Sequence, residues 1–198
     1  MKRIGLFGGS FDPPHNAHVA MARLARDHLA LDELRLIPAG DPWQKSDRQL
    51  APAADRLAML RLAFEDEPGI VIDESELKRS GPSYTIDTIE QLQSRPDLAG
   101  AQLFLVIGQD QYANLHTWHR WPDILRLATL AVAGREGEAP RPAPQLAAVT
   151  HRMVPLPLPP MPVSATAIRS RATEGDHIDE MVPPPVADYI EHTHLYRS

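Results

Sequence analysis

The chain has 198 residues, a hydrophobic fraction of 43%, a charged fraction of 23% and a formal net charge of −6, a composition ordinary for a soluble globular protein with one sizeable core. The absence of cysteine excludes disulfides, thiolate nucleophiles and Cys-based zinc sites, and the acidic balance argues against a general nucleic-acid binder. No apolar stretch approaches the roughly 20 residues needed to cross a bilayer, so the expectation is a single cytoplasmic domain over 1–198, with neither membrane nor nucleic acid as partner.

Residues 4–7 form a short apolar run that ends in paired glycines, which suits a buried parallel strand better than a signal peptide. Ala17, Ala20, Met21, Leu24 and Ala25 then recur at helical spacing, with Arg23, Arg26 and Asp27 on the other face. A second strand follows at 34–37. Ala53, Leu57, Leu60 and Phe64 mark a second helix, with Arg56 and Arg61 predicted to face outward. Residues 70–72 read as a third strand, and Ser83 as the cap of a helix that buries Ile86, Ile89 and Leu92.

The clearest strand is 103–107, with another at 130–132 and a short helix around Ile124, Leu125 and Leu127 between them. The prolines, 20 in all, gather mainly at 138–162 and 183–185, and 136–144 reads as a mobile surface loop. A C-terminal helical part covers about 164–198, where Pro184 and Pro185 open a helix with Val186, Tyr189 and Ile190 facing inward. Strand and helix alternate, so the predicted fold class is α/β: a Rossmann-like, doubly wound parallel sheet with helices on both faces.

Two constellations carry chemistry. The first is Gly8-Gly9-Ser10-Phe11-Asp12-Pro13-Pro14-His15-Asn16-Ala17-His18. It follows a strand and opens a helix, which is where ligands bind in open parallel sheets. Glycines permit close backbone approach and unusual conformations, and a helix N-terminus attracts anions. His15 and His18, three apart, share a face and can donate to one phosphate chain. No Gly-Lys-Ser/Thr follows the glycines, so this is not a P-loop, and nothing completes a tetrahedral zinc site around Asp12, His15 and His18.

The second constellation is Val163-Ser164-Ala165-Thr166-Ala167-Ile168-Arg169-Ser170-Arg171. Ser164 is a good N-cap, and Arg169 sits early in the helix, where a cation opposes the macrodipole unless an anion binds beside it. Ser164, Thr166 and Arg169 therefore make a second phosphate site, to which Lys45 can add a charge. Solvated surface charges are the plainer reading of Lys45 and Arg171. Trp118 and Trp121 can both be core anchors, although the polar neighbours of Trp118 suit an accessible loop and a ligand role.

At these residues the sequence resembles the nucleotidyltransferase superfamily with the Gly-x-Phe-x-Pro-x-His-x-Gly-His signature. Within it, the chain is similar to the bacterial nicotinate-mononucleotide adenylyltransferases. The likeness extends to Ser83-Tyr84-Thr85-Ile86-Asp87-Thr88, to Ile107-Gly108-Gln109-Asp110 and to Asn114-Leu115-His116-Thr117-Trp118-His119-Arg120-Trp121. It departs from the signature at Ala17, where a glycine is usual, and at Ala165, where a serine is usual.

The resemblance implies transfer of AMP from ATP to nicotinate mononucleotide, with pyrophosphate released and deamido-NAD formed. His15, His18, Lys45 and Arg169 would be the catalytic donors. ATP would be held by Gly8, Gly9, Ser10, Phe11, His15, His18, Gly108, Asp110, Ser164, Thr166, Ile168 and Arg169. The mononucleotide would lie against Lys45, Ser83, Tyr84, Thr85, Trp118 and His119, with Trp118 stacked on the pyridine ring. Mg2+ would travel on the ATP phosphates without protein ligands of its own, and a homo-oligomer is compatible with this reading. The same-class alternatives are nicotinamide mononucleotide or pantetheine phosphate as acceptor; the alternative from another class is a nucleotide-sensing module.

Overall fold

The computed structural model describes residues 1–40 and 49–197. Six strands form one sheet: β1 (Arg3–Gly9), β2 (Glu33–Pro38), β3 (Ile70–Ile72), β4 (Gln102–Gly108), β5 (Thr129–Ala133) and β6 (Met153–Leu156). Their order is β3-β2-β1-β4-β5-β6 and every pairing is parallel. The chain builds outward from β1 to β3, then returns to lay β4 on the other side of β1. The crevice above β1 and β4 is therefore the topological switch point, where doubly wound sheets hold ligands.

Alternation along the strands feeds two cores. Ile4, Leu6, Leu103, Leu105, Ile107, Leu130 and Val132 point to one face and pack under Ile86, Ile89 and Leu92 of helix α4 (Thr85–Gln93) and Ile124 and Leu125 of α6 (Trp121–Leu127). Phe7, Leu34, Leu36, Phe104, Val106 and Ala131 point the other way, against Val19, Met21, Ala22 and Ala25 of α1 (Asn16–His28) and Leu60 of α2 (Ala53–Ala63). Period-two side chains buried on both faces explain why β1, β4 and β5 read as apolar runs. A third cluster joins Met59 of α2 to Ile168 and Ala172 of α8 (Ala165–Glu174) and to Val186, Ala187 and Ile190 of α9 (Pro184–Thr193).

Three further short α-helices, α3 (Ser75–Lys78), α5 (Gln109–Asn114) and α7 (Pro144–Ala147), lie among the described residues, and none has enough apolar repeats to show in the sequence. The cap of α4 is Tyr84 rather than Ser83, and Tyr84 makes no side-chain capping bond. Segment 136–144 is tied to α5: Gln109 Nε2 donates to Arg141 O at 2.7 Å, and Arg141 N–H donates back to Gln109 Oε1 at 2.8 Å. Among the described residues no helix is long and apolar enough to cross a membrane.

One sequence expectation fails clearly. Arg56, predicted on the outer face of α2, is 2% exposed. The helix is rotated so that Arg56, Met59 and Leu60 face inward while Ala53 is exposed. The guanidinium tolerates burial because backbone oxygens receive its hydrogens: Nε donates to Ala51 O at 3.0 Å, and Nη1 donates to Ser10 O at 3.0 Å and to Ala39 O at 2.8 Å.

Candidate active site

The loop after β1 departs from its sequence reading in one respect. Neither Gly8 nor Gly9 has a positive φ. A methyl group added at Gly8 would come no closer than 3.7 Å to Ile37 O, and one at Gly9 no closer than 3.6 Å to the Phe11 ring. The glycines are thus not needed for a special turn; they line a cavity and keep its wall at backbone level. The unusual conformation belongs to Phe11, at φ 46°. Its buried ring meets Phe7 edge-on at 5.6 Å and His18 at 5.0 Å, and this packing holds the left-handed backbone in place.

His15 caps α1 and His18 is its third residue. The two imidazoles stack, with centroids 3.7 Å apart and planes 23° from parallel. The His15 backbone N–H donates to His18 Nδ1 at 3.1 Å. An accepting Nδ1 carries no hydrogen, so the His18 proton resides on Nε2, the nitrogen that can then donate to an anion. Burial lowers His15 to about 4 and keeps it neutral near pH 7. Its Nδ1 is buried with no hydrogen-bond partner among the described residues.

The two ends of the chain meet here. Arg169 Nη1 donates to the backbone carbonyl of Asp12 at 2.8 Å, and Nη2 to Thr166 Oγ1 at 3.2 Å. Ser164 caps α8 as predicted, its Oγ accepting from Ala167 N–H at 3.2 Å. Tyr196 OH donates to Asp12 Oδ1 at 2.6 Å, and Asn16 N–H to Met181 O at 3.0 Å. The strand-to-helix loop is therefore clamped by residues from the far end of the sequence.

Beside that loop, at the switch point, lies a cavity of about 130 Å³ lined by Gly8, Gly9, Ser10, Ser83, Thr85 and Trp118, among others. The indole of Trp118 is largely buried in the core and also forms part of this wall. Its Nε1 is buried without a hydrogen-bond partner among the described residues. Tyr84 and His119, next in sequence to the lining residues Ser83, Thr85 and Trp118, stack with centroids 4.4 Å apart.

Sequence reasoning missed Glu76 and Thr88, which also line the cavity. Thr88 Oγ1 donates to Glu76 Oε1 at 2.7 Å and accepts from Arg79 Nη1 at 3.2 Å. Burial pushes the Glu76 carboxyl up, against the opposing pull of the Thr88 bond and the Arg79 charge. Gly40 shows why α3 sits so close: a methyl there would lie 2.3 Å from Glu76 O. No sequence signal marks Glu76, because a carboxylate in a four-residue helix ordinarily faces water.

Other predicted residues stand apart from the cavity. Asp110 is exposed at the start of α5 and pairs with Arg135 at 3.4 Å, next to Gly108, which caps that helix. The side chains of Phe11 and Ile168 are in the core, leaving only their backbone for a ligand. Lys45 lies outside the described residues.

Residues 6–171 match the family described as cytidylyltransferase-like. The chain is 50% identical over 200 residues to a probable nicotinate-nucleotide adenylyltransferase of Methylibium petroleiphilum, covering 98% of this chain and 92% of that one. It is 46% identical to the protein of the same description from Albidiferax ferrireducens, with both chains covered completely. Among solved structures, the nicotinic acid mononucleotide adenylyltransferase of Plasmodium falciparum complexed with NaAD superposes with a TM-score of 0.81. That match covers 99% of this chain and 98% of the other at 18% identity, a likeness of fold.

Proposed function

This chain belongs to the cytidylyltransferase-like family, among the nicotinate-nucleotide adenylyltransferases, and we propose that it transfers the adenylyl group of ATP to nicotinate mononucleotide in NAD biosynthesis. The observation that carries the reading is the hydrogen bond from Arg169 to Asp12, which joins the two stretches read as phosphate sites beside a cavity that Gly8, Gly9 and Ser10 line.

In this mechanism a phosphate oxygen of the mononucleotide attacks the α-phosphorus of ATP in line. The new P–O bond forms as the bond to the β-phosphate bridging oxygen breaks, and pyrophosphate leaves with that electron pair. No covalent enzyme intermediate is involved. Such transfers depend on positioning and on stabilising charge spread over phosphate oxygens. His18 Nε2–H, Arg169, Lys45 and the amides at the start of α1 supply the donors. Neutral His15 packs His18 in place by stacking. Mg2+ would accompany ATP and supply neutralisation of charge on its phosphates.

The pyridine ring would occupy the cavity between Trp118 and the Ser83–Thr85 corner, whose hydroxyls and amides suit a carboxylate. The test is incubation of the protein with ATP, Mg2+ and nicotinate mononucleotide, with nicotinamide mononucleotide and pantetheine phosphate in parallel. Deamido-NAD and pyrophosphate should form in equal amounts. No pyrophosphate with any acceptor would favour a nucleotide sensor; faster turnover of another acceptor would reassign the substrate.

A further inference from the structure

Arg56 sits behind the wall of the cavity, and its bonds join three separate stretches of chain. Nη1 alone spans Ser10 O, on the loop after β1, and Ala39 O, just past β2. Nε reaches Ala51 O, before α2 and six positions after Lys45. Ser10 and Ala39 both line the cavity, so the guanidinium fixes the separation of two of its walls from the protein side.

Two neighbouring carbonyls, one at the end of β1 and one in the loop, also accept from other parts of the chain. Gly9 O accepts from Ala39 N–H at 2.9 Å, and Asp12 O from Arg169. Carbonyl oxygens facing a triphosphate would repel it. With the Gly9, Ser10 and Asp12 carbonyls held by protein donors, these three oxygens are kept from repelling an anion bound at the loop.

We propose that Arg56 is a positioning residue for adenylyl transfer, setting the loop after β1 against the end of β2 so that the phosphate donors hold reactive geometry. The inference rests on the adenylyl-transfer reading above. Lysine keeps the charge but offers a compact ammonium group in place of a planar fork, and it cannot span all three carbonyls at the observed distances.

The experiment compares wild type, Arg56→Lys and Arg56→Ala in steady-state turnover of ATP and nicotinate mononucleotide, with thermal melting of each. Arg56→Lys should remain folded and lose roughly 100-fold in kcat, the order of effect expected from about 1 Å of misplacement. KM for both substrates should change much less than kcat. Guanidinium ion at millimolar concentration should restore part of the kcat of Arg56→Ala by refilling its site. A folded Arg56→Lys with wild-type kcat would overturn the proposal. So would activity that falls only in proportion to the folded fraction, or guanidinium that restores melting but not turnover. Failure of the wild type itself to form the dinucleotide would instead overturn the functional reading.

Discussion

Arg169 and Asp12 lie 157 positions apart, and the guanidinium of one donates to the backbone carbonyl of the other at 2.8 Å. This bond ties α8 directly to the loop after β1. The remaining guanidinium edge bonds Thr166, so the group is oriented by two partners before any ligand arrives. Arg169→Lys should therefore lower kcat/KM for ATP by about 10- to 100-fold, the worth of one charge-assisted hydrogen bond. Steady-state kinetics with ATP varied check this, and an unchanged kcat/KM would remove Arg169 from the site.

His18 is held by its own helix cap, with Nδ1 accepting from His15 N–H. His18→Ala should reduce kcat by about 10²- to 10³-fold, as loss of one preorganised donor does, while the protein still folds and melts cooperatively. His18→Gln should recover part of that loss, because its amide oxygen can accept from His15 N–H while its NH₂ donates outward. Equal activity of the Ala and Gln variants would argue that His18 acts through packing alone.

Tyr196 ties the C-terminal end of the described chain to the site by donating to a buried carboxylate, Asp12 Oδ1, at 2.6 Å. Tyr196→Phe keeps the ring and removes only the donor. The expected cost is about 1.5–3 kcal/mol of unfolding free energy, the range for hydrogen bonds to charged groups, with a parallel loss of turnover because Asp12 also receives Arg169. Urea denaturation measures the first and initial rates the second; a fully stable but inactive variant would contradict this coupling.

The sheet was legible because its central strands are buried on both faces and read as apolar runs at 4–7 and 103–107, with 34–37 broken only by Arg35. The loop after β1 and the Ser164 cap were legible because their chemistry is local, within a few residues. Arg56 was not. Helical spacing alone allows a stripe through Ala53, Leu57 and Leu60 or one through Arg56, Met59 and Leu60, and charge argues for the wrong one. What decides is a set of carbonyls at Ser10 and Ala39, brought near only by tertiary folding. Glu76 escaped for the same reason, since its partner Thr88 belongs to another helix.

The buried titratable groups of the site give stability a pH dependence of opposite signs. Folding lowers His15 from 6.5 to about 4, so below pH 6.5 the unfolded chain takes up a proton that the folded chain refuses. Its contribution is therefore complete above pH 6.5 and is lost progressively down to about pH 4, by about 3 kcal/mol at most. His15→Asn, which keeps a good N-cap without titrating, should flatten the stability profile across that interval. Glu76 moves the other way. Its folded value lies above the ordinary 4.5, so its contribution is present at low pH and is lost as pH rises through that folded value. Glu76→Gln can still accept from Thr88 but cannot ionise, so its stability relative to wild type should improve from pH 4 to pH 8. Urea midpoints across pH 4–8 for the three proteins separate the two effects, and parallel profiles for wild type and both variants would show that neither group stays buried as described.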